Sequence, residues 1–119
     1  MQVNEVDVKD ARVIVITTRN SVYTCGLPDA GGQRDIFLSG KKIFNGVIYG
    51  IAVLPKVAER ILAHSPVKAL QKEPLPDGRQ AVAIGTILVG HGAVFHFTNP
   101  ATQTLSSYAT SDITGIDVK

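Results

Sequence analysis

The sequence lacks tryptophan and has a single cysteine, Cys25, among its 119 residues. One cysteine cannot form a disulfide within its own chain, which favours a reducing compartment, so we expect a cytoplasmic protein. No apolar run approaches the roughly 20 residues that a membrane-spanning helix needs. The acidic, polar start MQVNEVDVKD is unlike a signal peptide. We therefore expect a soluble protein with no membrane partner.

Charged residues are scarce as well. They make up 18% of the chain and leave a net charge of +2, against about 25% charged residues in a typical globular domain. The few aromatic residues are not interleaved with basic ones, as a stacking platform for nucleic acid requires. The composition therefore predicts no nucleic-acid partner.

The charges that are present are unevenly distributed. No Asp, Glu, Lys or Arg occurs from Gln80 to Ser111, and a run of that length must form several strands that are buried or covered by another subunit. Symmetric subunit interfaces are depleted in charge at their centres. We therefore expect a homo-oligomer, either a dimer or a tetramer, in which residues 80–111 form a subunit interface, a small-molecule pocket, or both.

Most apolar runs are rich in β-branched residues and are separated by Gly, Pro or Asn, which predicts strands. Short connections predict that neighbouring strands pair in the antiparallel direction. The Gly-His-Gly turn at 90–92 and the turn at 99–102 are two such connections. The expected strands are 11–18, 21–26, 36–38, 43–54, 81–89, 93–98, 103–110 and 113–118.

One segment has helical periodicity instead. Pro55 suits a first helical position, and apolar residues share one face of PKVAERILAH, which predicts a helix near residues 55–64. Residues 67–73 form either a second short helix or a strand, and the turn-forming stretch PLPDG favours the strand. The chain is therefore predicted to be a single α+β domain, 1–119, whose strongly bent antiparallel sheet of about six to eight strands can approach a barrel.

Two histidines lie five residues apart in GTILVGHGAVFHFTN, residues 85–99. Strand alternation sends His91 and His96 to opposite faces, and no acidic residue lies between Asp77 and Asp112, so we predict no metal site. His91 falls in the glycine turn. Because His96 lies opposite the Phe face of its strand, we expect it to line any site here, with Tyr108 or a neighbouring hydroxyl.

Other reactive groups give weaker patterns. Cys25 is expected to be a buried structural cysteine, because it lies in an apolar hairpin. The glycine-containing stretches 29–34 and 39–42 do not match a phosphate-binding loop, although Arg34 could reach an anionic ligand. We predict no cofactor.

These patterns favour a small homo-oligomer with a ligand-binding or regulatory role. Two alternatives stay open. One is a small enzyme with a histidine-containing cleft that uses His96 or His91 with Cys25, Tyr49 or Tyr108, and the other is a protein-interaction module that uses a sheet edge or the helix. The patterns do not decide whether the protein is an enzyme. The candidate ligand-binding residues are His96, His91, Tyr108, Tyr49 and Arg34.

Overall fold

The computed structural model describes residues 1–54, 68–69 and 80–119, which form twelve strands and no helix. The α+β prediction is therefore wrong, and the described fold is all-β, because β-branched residues fill nearly every apolar run. The helix predicted near residues 55–64 lies outside the described residues. The strands are β1 (Gln2–Val3), β2 (Glu5–Asp7), β3 (Ile14–Thr18), β4 (Val22–Cys25), β5 (Arg34–Leu38), β6 (Lys41–Leu54), β7 (Lys68–Ala69), β8 (Gln80–Ile84), β9 (Thr86–Leu88), β10 (Ala93–Thr98), β11 (Leu105–Ala109) and β12 (Ile113–Val118).

The main sheet has the strand order β1-β12-β3-β4-β5-β6-β10-β11. Every pairing in it is antiparallel. Outside this order, β8 pairs with β6, and β7 pairs with β8. The end strands β1 and β11 do not pair with each other, so the sheet does not close and the expectation that it approaches a barrel is wrong. For residues 67–73 the sequence left a helix and a strand open, and Lys68–Ala69 form a strand, β7, that pairs with β8. Within the described ranges, no helix is long and apolar enough to cross a membrane.

Two hairpins form where the sequence predicts them. Arg19 and Asn20 join β3 to β4, and the amide of Thr18 donates to the carbonyl of Ser21 at 2.8 Å. The turn after β10 begins at Asn99, whose carbonyl accepts a hydrogen bond from the amide of Gln103 at 2.8 Å. Both turns depend on short-range chemistry, which a sequence pattern reports directly.

The Gly-His-Gly turn does not join two paired strands, contrary to the prediction. The expected strand 81–89 bends at Gly85 into β8, which pairs with β6, and β9, which pairs with β2 in a separate two-stranded sheet. The bend brings the backbone of Thr86 so close to Gly50 that a Cβ on Gly50 would overlap the Thr86 carbonyl. Glycine is required at position 50 because only a residue without a side chain allows that crossing.

The larger of two hydrophobic clusters among the described residues lies against one face of the main sheet, and the smaller one comprises Ala52, Val82 and Ile84. Strands β3, β5 and β12 point isoleucines into the larger cluster, which we call the core, β10 contributes Phe95, and β2 and β9 cover it with Val6 and Ile87. Strand β4 adds Cys25, which is fully buried, and Tyr23, whose hydroxyl shares a 3.2 Å hydrogen bond with that of Tyr108 on β11. This hydrogen bond links the edge strand β11 to β4, although the two strands are not neighbours in the sheet.

We predict a loss of stability at high pH from two ionisable groups in this core. Burial raises the pKa of the Cys25 thiol from 9.0 to about 12, and burial together with the Tyr108 hydrogen bond raises the pKa of Tyr23 from 10.0 to about 12. A raised folded-state pKa stabilises the fold below the unfolded pKa, and that contribution is lost as pH rises through the folded value. The free energy of unfolding should therefore fall between about pH 9 and about pH 12.

Urea unfolding at about pH 8 and about pH 10.5 measures this loss, because the thiol and the phenol of the unfolded chain begin to ionise between these values. The variant Cys25→Ala should lose less stability than the original chain between the same two pH values, although it starts from a lower value. Equal unfolding free energies of the original chain at both pH values would contradict the prediction.

Candidate functional site

Strands β6, β10 and β11 divide their side chains between two faces. The register places His96 beside Val47 of β6 and Ser107 of β11, and it places Phe95 beside Tyr108. Phe95 is fully buried in the core, whereas His96 is half-buried on the opposite side. We call the side that carries His96 the outer face. The alternation along β10 agrees with the sequence pattern.

A groove of about 500 Å³ runs across the outer face and the adjoining margin of the sheet. We call it the outer groove. Its walls come from β6 and β10, from the residue before β5, and from the turn that leads into β11. Its lining residues are Gln33, Ile43, Phe44, Asn45, Val47, Tyr49, His96, Phe97, Thr98, Pro100 and Leu105.

Aromatic contacts shape this groove. At the margin of the groove, on the side of the sheet that carries Phe95, Phe44 and Phe97 stack with ring centroids 4.0 Å apart and an interplanar angle of 3°. Tyr49 meets His96 edge to face, with centroids 5.4 Å apart and an angle of 70°. Gly46 lies between these two pairs, and a Cβ there would meet the carbonyl of His96 at 2.5 Å. The missing side chain at position 46 lets β10 approach β6 closely enough to hold both aromatic pairs.

The described lining of the outer groove carries no acidic or basic side chain other than the His96 imidazole. None of the lining residues is Asp, Glu, Lys or Arg, and the polar groups are two carboxamides, two hydroxyls and one imidazole. Asp35 of β5, which lies opposite Asn45 of β6, accepts a 3.0 Å hydrogen bond from Asn45 and pairs with Lys42 at 3.1 Å. These two contacts, with that of Asn45 the larger, lower the pKa of Asp35. The charge at the rim is thus neutralised by its own neighbours.

A second groove of about 490 Å³ lies on the other side of Tyr49 and Val47, between the loop 28–32 and residues 7–9. We call it the loop groove. Its carboxylates already serve local turns: Asp29 accepts hydrogen bonds from the amides of Gly31 and Gln33, and Asp7 accepts one from Lys9. Because turn geometry accounts for these polar groups, the outer groove is the better candidate for a binding site.

Arg34, a predicted ligand contact, lies at the start of β5 and is fully buried. Its Nη1 donates to the carbonyls of Arg12 at 2.8 Å and Gly26 at 3.0 Å. Its Nη2 donates to the carbonyls of Val8, at 3.2 Å, and Asp10. Burial lowers the pKa of Arg34. The guanidinium therefore joins the segment 8–12 to β5 and is not exposed in either groove.

Asp10 organises the other side of this segment. Its carboxylate accepts hydrogen bonds from the Nε and Nη2 of Arg12 at 2.9 and 2.8 Å. The side-chain hydrogen bond of Arg12, followed by that of its main chain, lowers the pKa of Asp10 from 3.8 to about 2. The loop that covers Arg34 is thus held by main-chain carbonyls on its inner side and by an ion pair on its outer side.

The structure brings together two of the five predicted site residues, Tyr49 and His96, and separates the other three. Tyr108 lies on the face opposite His96, where it contacts Tyr23. His91 lies in the turn before β10, and its carbonyl accepts a 2.8 Å hydrogen bond from the amide of Ile113. Arg34 is buried as described above.

Sequence reasoning missed Asn45 and Thr98 as members of the site. A signal for Asn45 was present, because Asn45, Val47 and Tyr49 alternate along β6 and therefore share a face. No comparable signal showed that β6 lies beside β10, since that pairing joins residues about fifty positions apart in the chain. The register of the two strands is what assembles the groove.

Neither a metal-binding cluster nor a similar known protein indicates what the groove binds. Within residues 1–54, 68–69 and 80–119, no group of three or more His, Cys, Asp or Glu side chains lies close enough to hold a metal ion. No protein-family model, curated protein or solved structure matches this chain. Cys25 is buried with a pKa of about 12, so its thiol is protonated near neutral pH and is a poor nucleophile.

Proposed function

We propose that this chain is a homo-oligomeric ligand-binding protein whose outer groove takes a small, uncharged aromatic molecule. The observation that carries the proposal is a described lining without Asp, Glu, Lys or Arg, together with the Tyr49–His96 pair on the outer face. The groove volume of about 500 Å³ falls in the range of roughly 300–1,000 Å³ that small-molecule sites occupy. Such sites combine apolar walls with a few polar groups that fix the orientation of the ligand, which is the composition found here.

The aromatic preference follows from the rings that line the groove. The Tyr49–His96 pair on the outer face supplies a face and an edge against which a planar ring can pack, and Phe44 and Phe97 contribute to the margin of the groove. The absence of lining charges disfavours an ionic ligand, because a buried ion needs a partner of opposite charge. Asn45 and Thr98 supply hydrogen-bonding groups for a ring with donor or acceptor substituents.

The proposal includes a cytoplasmic location and a regulatory or accessory role for binding. A lone cysteine that is fully buried and free supports the reducing compartment. An enzyme with a histidine cleft has less support, because Cys25 lies in the core and Tyr108 lies on the face opposite His96, so that of the predicted partners only Tyr49 lies beside His96. The binding function accounts for the same residues without requiring a nucleophile.

The proposal is tested by ligand-observed NMR with two neutral probes, indole and benzamide, and two charged ones, benzoate and benzylammonium. We expect the neutral probes to bind and the charged ones to bind at least about fivefold more weakly, since burying an unpaired charge costs more than 1 kcal/mol. His96→Gln should weaken neutral-probe binding by about three- to tenfold through the lost ring contact.

The matched control is His91→Gln, which removes an identical side chain from the turn outside both grooves. It should leave the affinity of indole unchanged. The proposal fails if none of the neutral probes binds, if the charged probes bind equally well, or if the two histidine variants weaken binding to the same extent.

A further inference from the structure

Strand β11 forms one end of the main sheet, and its only strand partner within the described chain is β10. The amide of Thr110 donates to Ala93, and the carbonyl of Thr104 accepts from Asn99, so the even-numbered residues direct their main-chain groups toward β10. Main-chain groups alternate in direction along an antiparallel strand. Leu105, Ser107 and Ala109 therefore direct their amides and carbonyls away from the sheet.

This edge lacks the features that usually prevent strand-to-strand association. Natural edges are protected by charged side chains, prolines, bulges or very short strands. Strand β11 is five residues long, has no proline and lies within the uncharged run 80–111. Leu105 is 83% exposed on it. The opposite edge, β1, is only two residues long and is therefore a poor partner for a strand of that length.

We infer that two copies of this chain associate by pairing their β11 strands antiparallel about a two-fold axis at Ser107. The three outward-directed residues are symmetric about Ser107, so the edge is complementary to itself. In this register Ser107 faces the partner's Ser107, and Leu105 faces the partner's Ala109. No charge opposes another across the seam, and a two-fold contact of this kind closes after two copies.

The pairing also completes the binding site. Leu105 lines the outer groove, so the partner's Ala109 would lie beside it and extend the wall of the groove. The inference rests on the homo-oligomer in the proposed function, and it does not depend on which ligand binds. It adds the strand, the register and the symmetry of the contact.

Cysteine cross-linking of the full chain tests this register. Directly opposed residues whose main chains are hydrogen-bonded have Cα atoms about 5.5 Å apart, which lies within the range of about 4.4–6.8 Å for a disulfide. The variant Ser107→Cys should form a disulfide-linked dimer under mild oxidation, seen on a non-reducing gel. The natural Cys25 is fully buried and should not compete.

Two single variants on the same face serve as matched controls. In the proposed dimer, two copies of Leu105→Cys, or two copies of Ala109→Cys, would hold their cysteines about four residues apart along the strands, a distance of roughly 14 Å. Neither variant should therefore cross-link alone. A mixture of the two variants should give the disulfide-linked heterodimer. Cross-linking of Ser107→Cys should be at least about tenfold faster than that of either control alone, because pairing raises the effective concentration.

Light scattering on the original chain separates failure of the inference from failure of the proposed oligomer. A dimer in solution whose Ser107→Cys variant cross-links no faster than the controls would overturn the β11 contact and keep the oligomer. A monomer at micromolar concentration would overturn both, while the NMR test of the outer groove would still decide ligand binding.

Discussion

Replacing Arg34 with methionine is expected to lower the free energy of unfolding by about 3–5 kcal/mol, because the change leaves buried main-chain carbonyls without donors. The guanidinium of Arg34 donates to the carbonyls of Val8, Asp10, Arg12 and Gly26. Methionine fills a similar volume but donates nothing. For a chain of this length the melting temperature should fall by about 10–20 °C, measured by calorimetry.

Two further variants separate the role of Arg34 from that of charge alone. Arg12→Met removes an arginine from a half-exposed ion pair with Asp10 and should cost much less than Arg34→Met, because exposed ion pairs contribute little to stability. Arg34→Lys keeps the charge but supplies only three donors from one point, so its loss of stability should be intermediate. Equal losses for Arg34→Met and Arg12→Met would show that the four carbonyls are not held by Arg34.

The second large effect is expected for Gly50→Ala, which should lower the free energy of unfolding by about 3 kcal/mol or more. This value is at the upper end of the usual cost of overpacking an interior position. A Cβ at position 50 would overlap the carbonyl of Thr86 and approach the Cα of Ile87, and both are main-chain atoms that cannot rotate away. The change should therefore push β9 away from β6. Urea unfolding monitored by circular dichroism measures the loss.

Gly115→Ala is the matched control for this substitution. Gly115 also lies in a strand, β12, and among the described atoms nothing lies within 4 Å of a Cβ built there. Alanine at that position should change the unfolding free energy by less than about 1 kcal/mol, with a stabilising contribution from the reduced entropy of the unfolded chain. If Gly50→Ala proved as mild as Gly115→Ala, the close crossing of β6 and β9 would be disproved.

Local chemistry made most strands predictable. The β-branched residues of Ile113–Val118 predicted the bounds of β12, although a register shift near Ile113 interrupts its alternation, and Asn20 and Asn99 marked real turns. The short strands β1 and β2 escaped prediction because two or three residues are too few to display a period. The α+β class was wrong because the described residues form strands and no helix. Its helical signal came from a single segment, 55–64, which lies outside the described residues.

Long-range pairing was not predictable from local patterns. The sequence gives no sign that β12 lies between β1 and β3, or that Gly85 turns the chain from β6 toward β2. Arg34 shows the same limit at a single residue. It shares a face of β5 with the buried Ile36, but polarity alone assigns an arginine to the surface, and only the arrangement of four carbonyls explains its burial.

The candidate site was half predictable for the same reason. Alternation along β10 places His96 on the face opposite Phe95, and the structure agrees. The partners of His96 depend on the register between β6 and β10, which selects Tyr49 rather than Tyr108. The uncharged run 80–111 also divides in a way the sequence does not show: residues 82–84 of β8 and 93–95 of β10 are buried within the chain, and β11 is an exposed edge.

The most direct test of the outer groove is a map of amide chemical-shift changes in the nitrogen-15-labelled chain on titration with benzamide. We expect the largest changes at 45–49 on β6 and 96–98 on β10, with small changes in the loop 28–32 and in β12. The largest changes in the loop 28–32, or changes spread evenly over the chain, would contradict a binding site in the outer groove.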